Sequence, residues 1–162
     1  MNEIADTAKI SSLADIETSK RGSKLIVGPG AMIDSFVKIK FTGGNGNIEI
    51  GEGTYINSGC VLYSGNGIKI GKAVLIAANC TFAPVNHEYS SKDKTILEQR
   101  FKESKGGIII EDDVWIGAGV IVLDGAHIKK GCVIGAAGVV GSTTEEYGIY
   151  LGNPLTLVKY RT

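Results

Sequence analysis

The chain has no excess of charge of either sign: 17 Lys and Arg residues are matched by 17 Asp and Glu. Bulk electrostatics therefore gives no reason to expect a nucleic acid or an anionic membrane surface as partner. No uninterrupted apolar stretch is long enough to span a bilayer, and the first residues, MNEIADTAKISSLADIETSKRG, carry charges throughout with no apolar run of signal-peptide length. A soluble cytoplasmic protein without membrane insertion is the expectation. Cysteine is sparse, at Cys60, Cys80 and Cys132, with no C-x-x-C pair to point to zinc or redox work. Histidine is limited to His87 and His127, tryptophan to Trp115, and proline to 3 residues. What the chain does have is glycine, 23 residues without the every-third-residue period of collagen. That bias suits a single domain over residues 1–162 with many tight corners where φ is positive.

The organising pattern lies in Ile110–Val140, where aliphatic residues recur every six positions at Ile110, Ile116, Val122, Ile128, Ile134 and Val140. Neither an α-helix nor a flat strand needs that period. The fifth position of each hexad is small or modest in size, as at Val114, Val120, Ala126, Cys132 and Gly138. Such a repeat is a signature of a parallel β-helix, each hexad being one short strand plus a corner, with three hexads closing a triangular coil. All three cysteines fall on fifth positions and are read as small buried apolar side chains.

The same frame extends toward the N-terminus. Ile4, Ile10 and Ile16 are six apart, and in a helix they would lie on all sides rather than one, so residues 4–21 are read as a polar initial coil. Hexapeptide coils are expected over 26–87 and 108–145. Within them Phe41–Asn47 (FTGGNGN) reads as a corner insertion rich in residues that tolerate left-handed backbone, and a two-residue excess falls near Gly65–Gly67. The frame lapses over 88–107, a mixed-charge extruded loop of the kind that in a repeat protein is functional or disordered. Residues 146–162 leave the hexads as a short tail in which G-N-P marks a turn.

Four motifs are specific beyond the repeat: N-H-E-Y at Asn86–Tyr89, I-x-x-x-V-W-I-G-A-G at Ile110–Gly119, V-I-G-A at Val133–Ala136, and G-N-P at Gly152–Pro154. On these the chain, from about Ile26 onward, resembles the hexapeptide-repeat acyltransferases, and within them the small sugar O- and N-acetyltransferases of bacterial surface-polysaccharide biosynthesis. The resemblance implies an all-β fold, a left-handed parallel β-helix with one long extruded loop and a short C-terminal tail. It also implies a homotrimer with active sites between subunits, acetyl-CoA as acyl donor, a sugar acceptor and no metal requirement.

Acyl transfer from a thioester to a hydroxyl or amine needs a base, and imidazole suits the task near neutral pH. His87 matches the family's catalytic histidine. Asn86 and Glu88 flank it, and either could orient the base or hold the acceptor, although neighbours in extended chain point opposite ways. His127 ends a hexad and is expected at the surface. By resemblance Gly117, Ala118 and Ala136 lie along the CoA arm, supplying backbone N–H groups for the thioester oxygen. Trp115, outward on its hexad, is expected to border the cleft and the substrate. For the CoA phosphates Lys159 is the first candidate, with Arg161 and Lys129-Lys130 behind it; Leu155-Thr156 stands where many relatives place a basic residue after the turn.

Two other readings use the same architecture. A γ-class carbonic anhydrase needs three histidines on zinc, and the chain has two. A non-catalytic scaffold or assembly module has no need for the long histidine-bearing loop.

Overall fold

The computed structural model describes residues 2–162, a left-handed parallel β-helix built from short strands. The first coil holds β1 (Glu3–Ile4), β2 (Lys9–Ile10) and β3 (Asp15–Ile16); the second holds β4 (Leu25–Val27), β5 (Met32–Ile33) and β6 (Lys38–Lys40). The third is β7 (Ile48–Ile50), β8 (Tyr55–Ile56) and β9 (Val61–Tyr63), and the fourth is β10 (Ile68–Ile70), β11 (Leu75–Ile76) and β12 (Thr81–Ala83). The extruded loop follows, carrying the one-turn helix α1 (Ile96–Gln99). A fifth coil contains β13 (Ile108–Ile110), β14 (Trp115–Ile116) and β15 (Ile121–Leu123), and a sixth contains β16 (His127–Ile128), β17 (Val133–Ile134) and β18 (Val139–Val140). The chain closes with β19 (Gly148–Leu151) and β20 (Thr156–Tyr160).

First strands of successive coils stack as sheet A, second strands as sheet B and third strands as sheet C. The hexad aliphatics fall into register across coils: Val27, Ile50, Ile70, Ile110 and Ile128 in A, Ile33, Ile56, Ile76, Ile116 and Ile134 in B, Ile39, Leu62, Phe82, Val122 and Val140 in C. All of these are at most 2% exposed. Each such aliphatic contributes about 1.5–3 kcal/mol by leaving water. In the first coil Ile4, Ile10 and Ile16 join the same columns, but no coil lies beneath them among the described residues, and Ile4 is 45% exposed.

From the second coil onward the A-to-B and B-to-C corners follow one rule. The third residue after an inward aliphatic turns left-handed, as at Gly53, Gly59, Gly119 and Gly131, and the rule is kept even where Ala73, Asn79, Asp113 or Ala137 stands there. The fifth residue then points inward. The thiols of Cys60, Cys80 and Cys132 are fully buried in that position, and hydrogen bonding to Cys80 together with burial pushes the Cys60 thiol up, away from thiolate chemistry.

The insertions all lie on one edge. Steps from A to B and from B to C are six residues everywhere, whereas the C-to-A steps from Ile16 to Val27, Ile39 to Ile50, Leu62 to Ile70 and Phe82 to Ile110 are longer. The long loop therefore leaves from the end of β12 in sheet C and returns to β13 in sheet A. The tail is less separate than its lost hexad frame suggests: β19 extends sheet B, with Tyr150 in register on Ile134, and β20 turns back antiparallel to it.

Candidate functional site

His87 lies on the outgoing arm of the loop, and the returning arm pairs with it. His87 and Phe101 form an antiparallel bridge, flanked by Glu88 N–H donating to the Arg100 carbonyl at 2.9 Å and Lys102 N–H donating to the Asn86 carbonyl at 2.8 Å. The chain reverses between the arms through α1, which carries a capping box of Thr95 and Glu98. Gln99 ties it back by donating from Nε2 to the Ser91 carbonyl and accepting from Ser91 N–H, both at 2.9 Å. At its base the loop is anchored by Asp124, only 3% exposed, which accepts from Lys105 N–H at 2.8 Å and Gly107 N–H at 2.9 Å.

Two contacts fix the imidazole. His87 Nδ1 lies 3.3 Å from the Arg100 carbonyl, and its ring stacks on Phe101 with centroids 4.9 Å apart and planes inclined 30°. A carbonyl only accepts, so this bond assigns the proton to Nδ1 and leaves the Nε2 lone pair free. Arg100 presents its carbonyl from a left-handed residue, φ 63° and ψ −138°, at the end of α1. Glu88 does not take part: its Oε1 accepts from Tyr89 N–H at 2.8 Å and Ser90 N–H at 2.9 Å, and those bonds hold its carboxyl below the usual range. The Asn86 side chain makes no hydrogen bond among the described residues, so its amide is available to a ligand.

Trp115, Gly117, Ala118 and Ala136 assemble elsewhere. Trp115 is 54% exposed on the outer face of sheet B, in register between Leu75 and Val133, beside a cavity of about 290 Å³ that also meets Arg161. Gly117 begins the B-to-C corner where a Cβ would come within 2.6 Å of Ala136 N, so only glycine lets these coils stack. Gly117 N–H donates to Ile134 and Gly119 N–H to Ala78, while the N–H groups of Ala118 and Ala136 donate to no acceptor among the described residues. Two backbone donors without an acceptor among the described residues thus lie one coil apart, on exposed residues of this edge.

The basic residues divide. Arg161 is committed, donating to Asp113 Oδ2 and to the Gly131 carbonyl, each at 2.9 Å, and lying over the Tyr147 ring. Lys129 pairs with Glu111 at 3.3 Å. Lys159, on β20 opposite Ile149, is exposed and without an ion pair among the described residues. His127 is not a freely solvated surface residue: it projects from sheet A with its side chain 28% exposed and Nε2 2.7 Å from Glu111 Oε1.

Within one chain the candidate residues therefore form two groups. Asn86, His87 and Glu88 sit at the C-to-A edge, whereas Trp115, Gly117, Ala118, Ala136 and Lys159 sit on sheet B and its B-to-C corner. Arg100 and Phe101, which hold the imidazole, went unnoticed in the sequence; the cue was a second aromatic residue, after Tyr89, in the loop. Among the described residues no group of three or more His, Cys, Asp or Glu side chains is placed to hold a metal ion, and no helix is long and apolar enough to cross a membrane.

No protein-family model matches the chain. It is 33% identical over 111 residues to a galactoside O-acetyltransferase of Lactococcus lactis subsp. lactis, an alignment covering 68% of this chain and 52% of that protein. It is 32% identical to a probable acetyltransferase of Mycobacterium tuberculosis, over 72% of this chain and 38% of that protein. The chain thus spans about half the length, or less, of these curated relatives. Among solved structures, a hexapeptide-repeat-containing acetyltransferase of Vibrio cholerae complexed with acetyl coenzyme A superposes with a TM-score of 0.71 at 27% identity, covering 83% of this chain and 69% of that one. The N-acyltransferase AntD of Bacillus cereus, in complex with dTDP and 3-hydroxybutyryl-CoA, superposes with a TM-score of 0.82 over 99% of this chain and 83% of that one, at 23% identity.

Proposed function

We propose that this chain, which belongs to the hexapeptide-repeat acyltransferase family, moves an acetyl group from acetyl-CoA to a hydroxyl or amine of a sugar, with His87 as general base. The observation that carries the reading is the 3.3 Å contact of His87 Nδ1 with the Arg100 carbonyl, an acceptor that assigns the proton to Nδ1 and leaves Nε2 open. The acceptor O–H or N–H gives its proton to Nε2 as the oxygen or nitrogen attacks the thioester carbonyl. Charge developing on the carbonyl oxygen is met by a free backbone N–H, and Ala118 and Ala136 offer such donors. Collapse breaks the C–S bond, and the proton on Nε2 passes to the departing CoA thiolate. The relatives named as acetyltransferases and the acetyl-CoA complex of the Vibrio cholerae protein support the donor.

Acyl transfer needs the base and the N–H donors around one thioester. One chain holds them on different edges, so the reading includes a homotrimer in which the loop of one copy meets sheet B of the next. Support comes from two apolar surfaces that the chain itself leaves uncovered. Tyr55, Leu75 and Trp115 form an outward ladder on sheet B, each more than 40% exposed, and the loop carries Tyr89, Leu97 and Phe101 in the open. The sugar is taken to be a nucleotide-linked or other polysaccharide precursor, and the site of action the cytoplasm.

The test pairs His87→Ala with a calorimetric titration of acetyl-CoA and a sedimentation measurement. Loss of acetyl transfer by about 10²–10⁴-fold, with acetyl-CoA binding and the trimer retained, is the expected result. Near-normal turnover would move the base elsewhere, and no binding at millimolar acetyl-CoA would remove the transferase reading and leave a scaffold.

A further inference from the structure

We propose that Cys80 is a positioning residue for acyl transfer: its buried thiol, one coil below, donates to the Gly117 carbonyl and so aims the Ala118 N–H, the other end of the same peptide unit, away from the core and at the thioester oxygen. The inference rests on the transferase reading above and adds to it the side chain that sets one of the two candidate N–H donors.

The backbone around Ala118 is held by coil stacking on both sides. Gly117 N–H donates to the Ile134 carbonyl at 2.8 Å, the Ala118 carbonyl accepts from Ala137 N–H at 2.9 Å, and Gly119 N–H donates to the Ala78 carbonyl at 3.0 Å. The peptide unit between them, from Gly117 C=O to Ala118 N–H, has one partner among the described residues, Cys80 Sγ at 3.2 Å from the oxygen. Cys80 and Gly117 are buried, and Ala118 is exposed. A trans peptide carries its C=O and N–H on opposite sides of one plane, and the cis bond among the described residues is elsewhere, at Asn153-Pro154. With the carbonyl turned to a buried thiol, the N–H is turned the other way.

The thiol has one proton and three carbonyl oxygens near it. Besides Gly117, Ala77 O lies 3.3 Å from Sγ and Ala78 O 3.9 Å. The Ala77 oxygen already accepts from the Cys60 thiol at 3.1 Å, which leaves Gly117 as the acceptor for Cys80. A thiolate would stand against these oxygens inside the core, so the group is the neutral thiol, although the Cys60 thiol and the N–H groups of Val120 and Gly119 draw its pKa down. Thr54 makes the same arrangement at an A-to-B corner. Its fifth-position hydroxyl donates to the Gly71 carbonyl of the next coil at 2.8 Å and accepts from Val74 N–H at 3.1 Å. Where the fifth residue below has no donor, as at Val114 under Lys129 and Val120 under Gly135, the corner closes on itself. The carbonyl then accepts from the N–H three residues on, at 3.3 Å in both cases. Ala136 N–H therefore sits on a peptide held by its own backbone, whereas Ala118 N–H depends on a side chain.

The experiment binds acetyl-CoA, labelled with carbon-13 at the thioester carbonyl, to the unmodified chain and to Cys80→Ala, Cys80→Ser and Thr54→Val. The carbonyl resonance of the bound thioester is read by NMR, and the affinity by calorimetry. Alanine already fills fifth positions at Ala31 and Ala126, and valine at Val74 and Val114, so these variants keep the coils. A hydrogen bond to the carbonyl oxygen draws electron density from the carbon, so the bound signal of the unmodified chain should lie downfield of free acetyl-CoA. Cys80→Ala should lose most of that displacement. Cys80→Ser, which keeps a donor, should recover it, and Thr54→Val, which deletes the matching bond away from the site, should leave it unchanged. Affinity should be the same in all four. No displacement in the unmodified chain, a displacement that Cys80→Ala retains, or an equal loss in Cys80→Ser or Thr54→Val overturns the role of Cys80 and leaves the transferase reading standing. No binding at millimolar acetyl-CoA removes the transferase reading itself, and the role of Cys80 with it.

Discussion

Phe82 and Phe101 flank the long loop and do different work. Phe82 closes the fourth coil on β12, fully buried and in register with Leu62 below and Val122 above. Phe101 is 48% exposed on the returning arm and lies against the His87 ring. Where the six-residue period is intact an aromatic ring fills a core column, and where the period is interrupted it supports an ionisable ring instead. The edges of the prism differ in the same way. An extra residue inside a strand would flip every side chain after it. One that bulges from a corner leaves the stack unchanged and adds little loop-closure entropy. All such bulges fall on the C-to-A edge, which is also where the candidate base lies.

The largest expected effect breaks the buried side of this comparison. Phe82→Ala leaves a cavity between two rungs that ladder hydrogen bonds hold about 4.8 Å apart, so the column cannot close over it. A loss of about 3–5 kcal/mol is expected, read as an earlier urea midpoint with sheet content otherwise retained. A loss below about 1 kcal/mol would mean that coil stacking, and not column filling, carries the stability.

Phe101→Ala tests the other side and should do the reverse. Its ring covers no core residue, so stability should change by less than about 0.5 kcal/mol. The imidazole, held then by the Arg100 carbonyl alone, should sample more orientations, and kcat should fall about tenfold, equivalent to about 1.4 kcal/mol. KM for acetyl-CoA should be unchanged, and Phe101→Tyr, which keeps the ring, should recover most of the rate. A stability loss comparable to that of Phe82→Ala would show that the loop is part of the core and that the two regions are not separable.

The columns were legible because their signal is repeated. Ile110, Ile116, Val122, Ile128, Ile134 and Val140 state the frame, and Cys60, Cys80 and Cys132 agree with it at the fifth position. That the insertions share an edge was implicit in the same count, since each break follows a third hexad. His87 was legible as a polar titratable residue at the start of the interruption. Its partners were not, because the Arg100 carbonyl is a backbone atom 13 residues away that only the α1 reversal brings into place. Trp115 was expected outside and is outside, because alternation in a strand with one buried face leaves it no other direction.

The smallest expected effect concerns the outer face of the prism, where neither column packing nor the loop's chemistry operates. Burial alone would raise the Glu111 carboxyl, but Lys130 N–H, His127 and Lys129 together outweigh it and hold the carboxyl below its usual value. A carboxyl lowered in the folded state adds stability above its unfolded pKa, and that stability is lost as pH falls through the lower, folded value. The side chain is 30% exposed, so solvent screening limits the gain to under about 1 kcal/mol. Urea midpoints of the unmodified chain and of Glu111→Gln should therefore differ slightly at neutral pH and converge on the acid side of the ordinary carboxylate range. A gap that stays constant to pH values where both states are protonated would assign the effect to lost packing on sheet A and not to charge. The outer face would then belong with the columns and not with the edge that carries the loop.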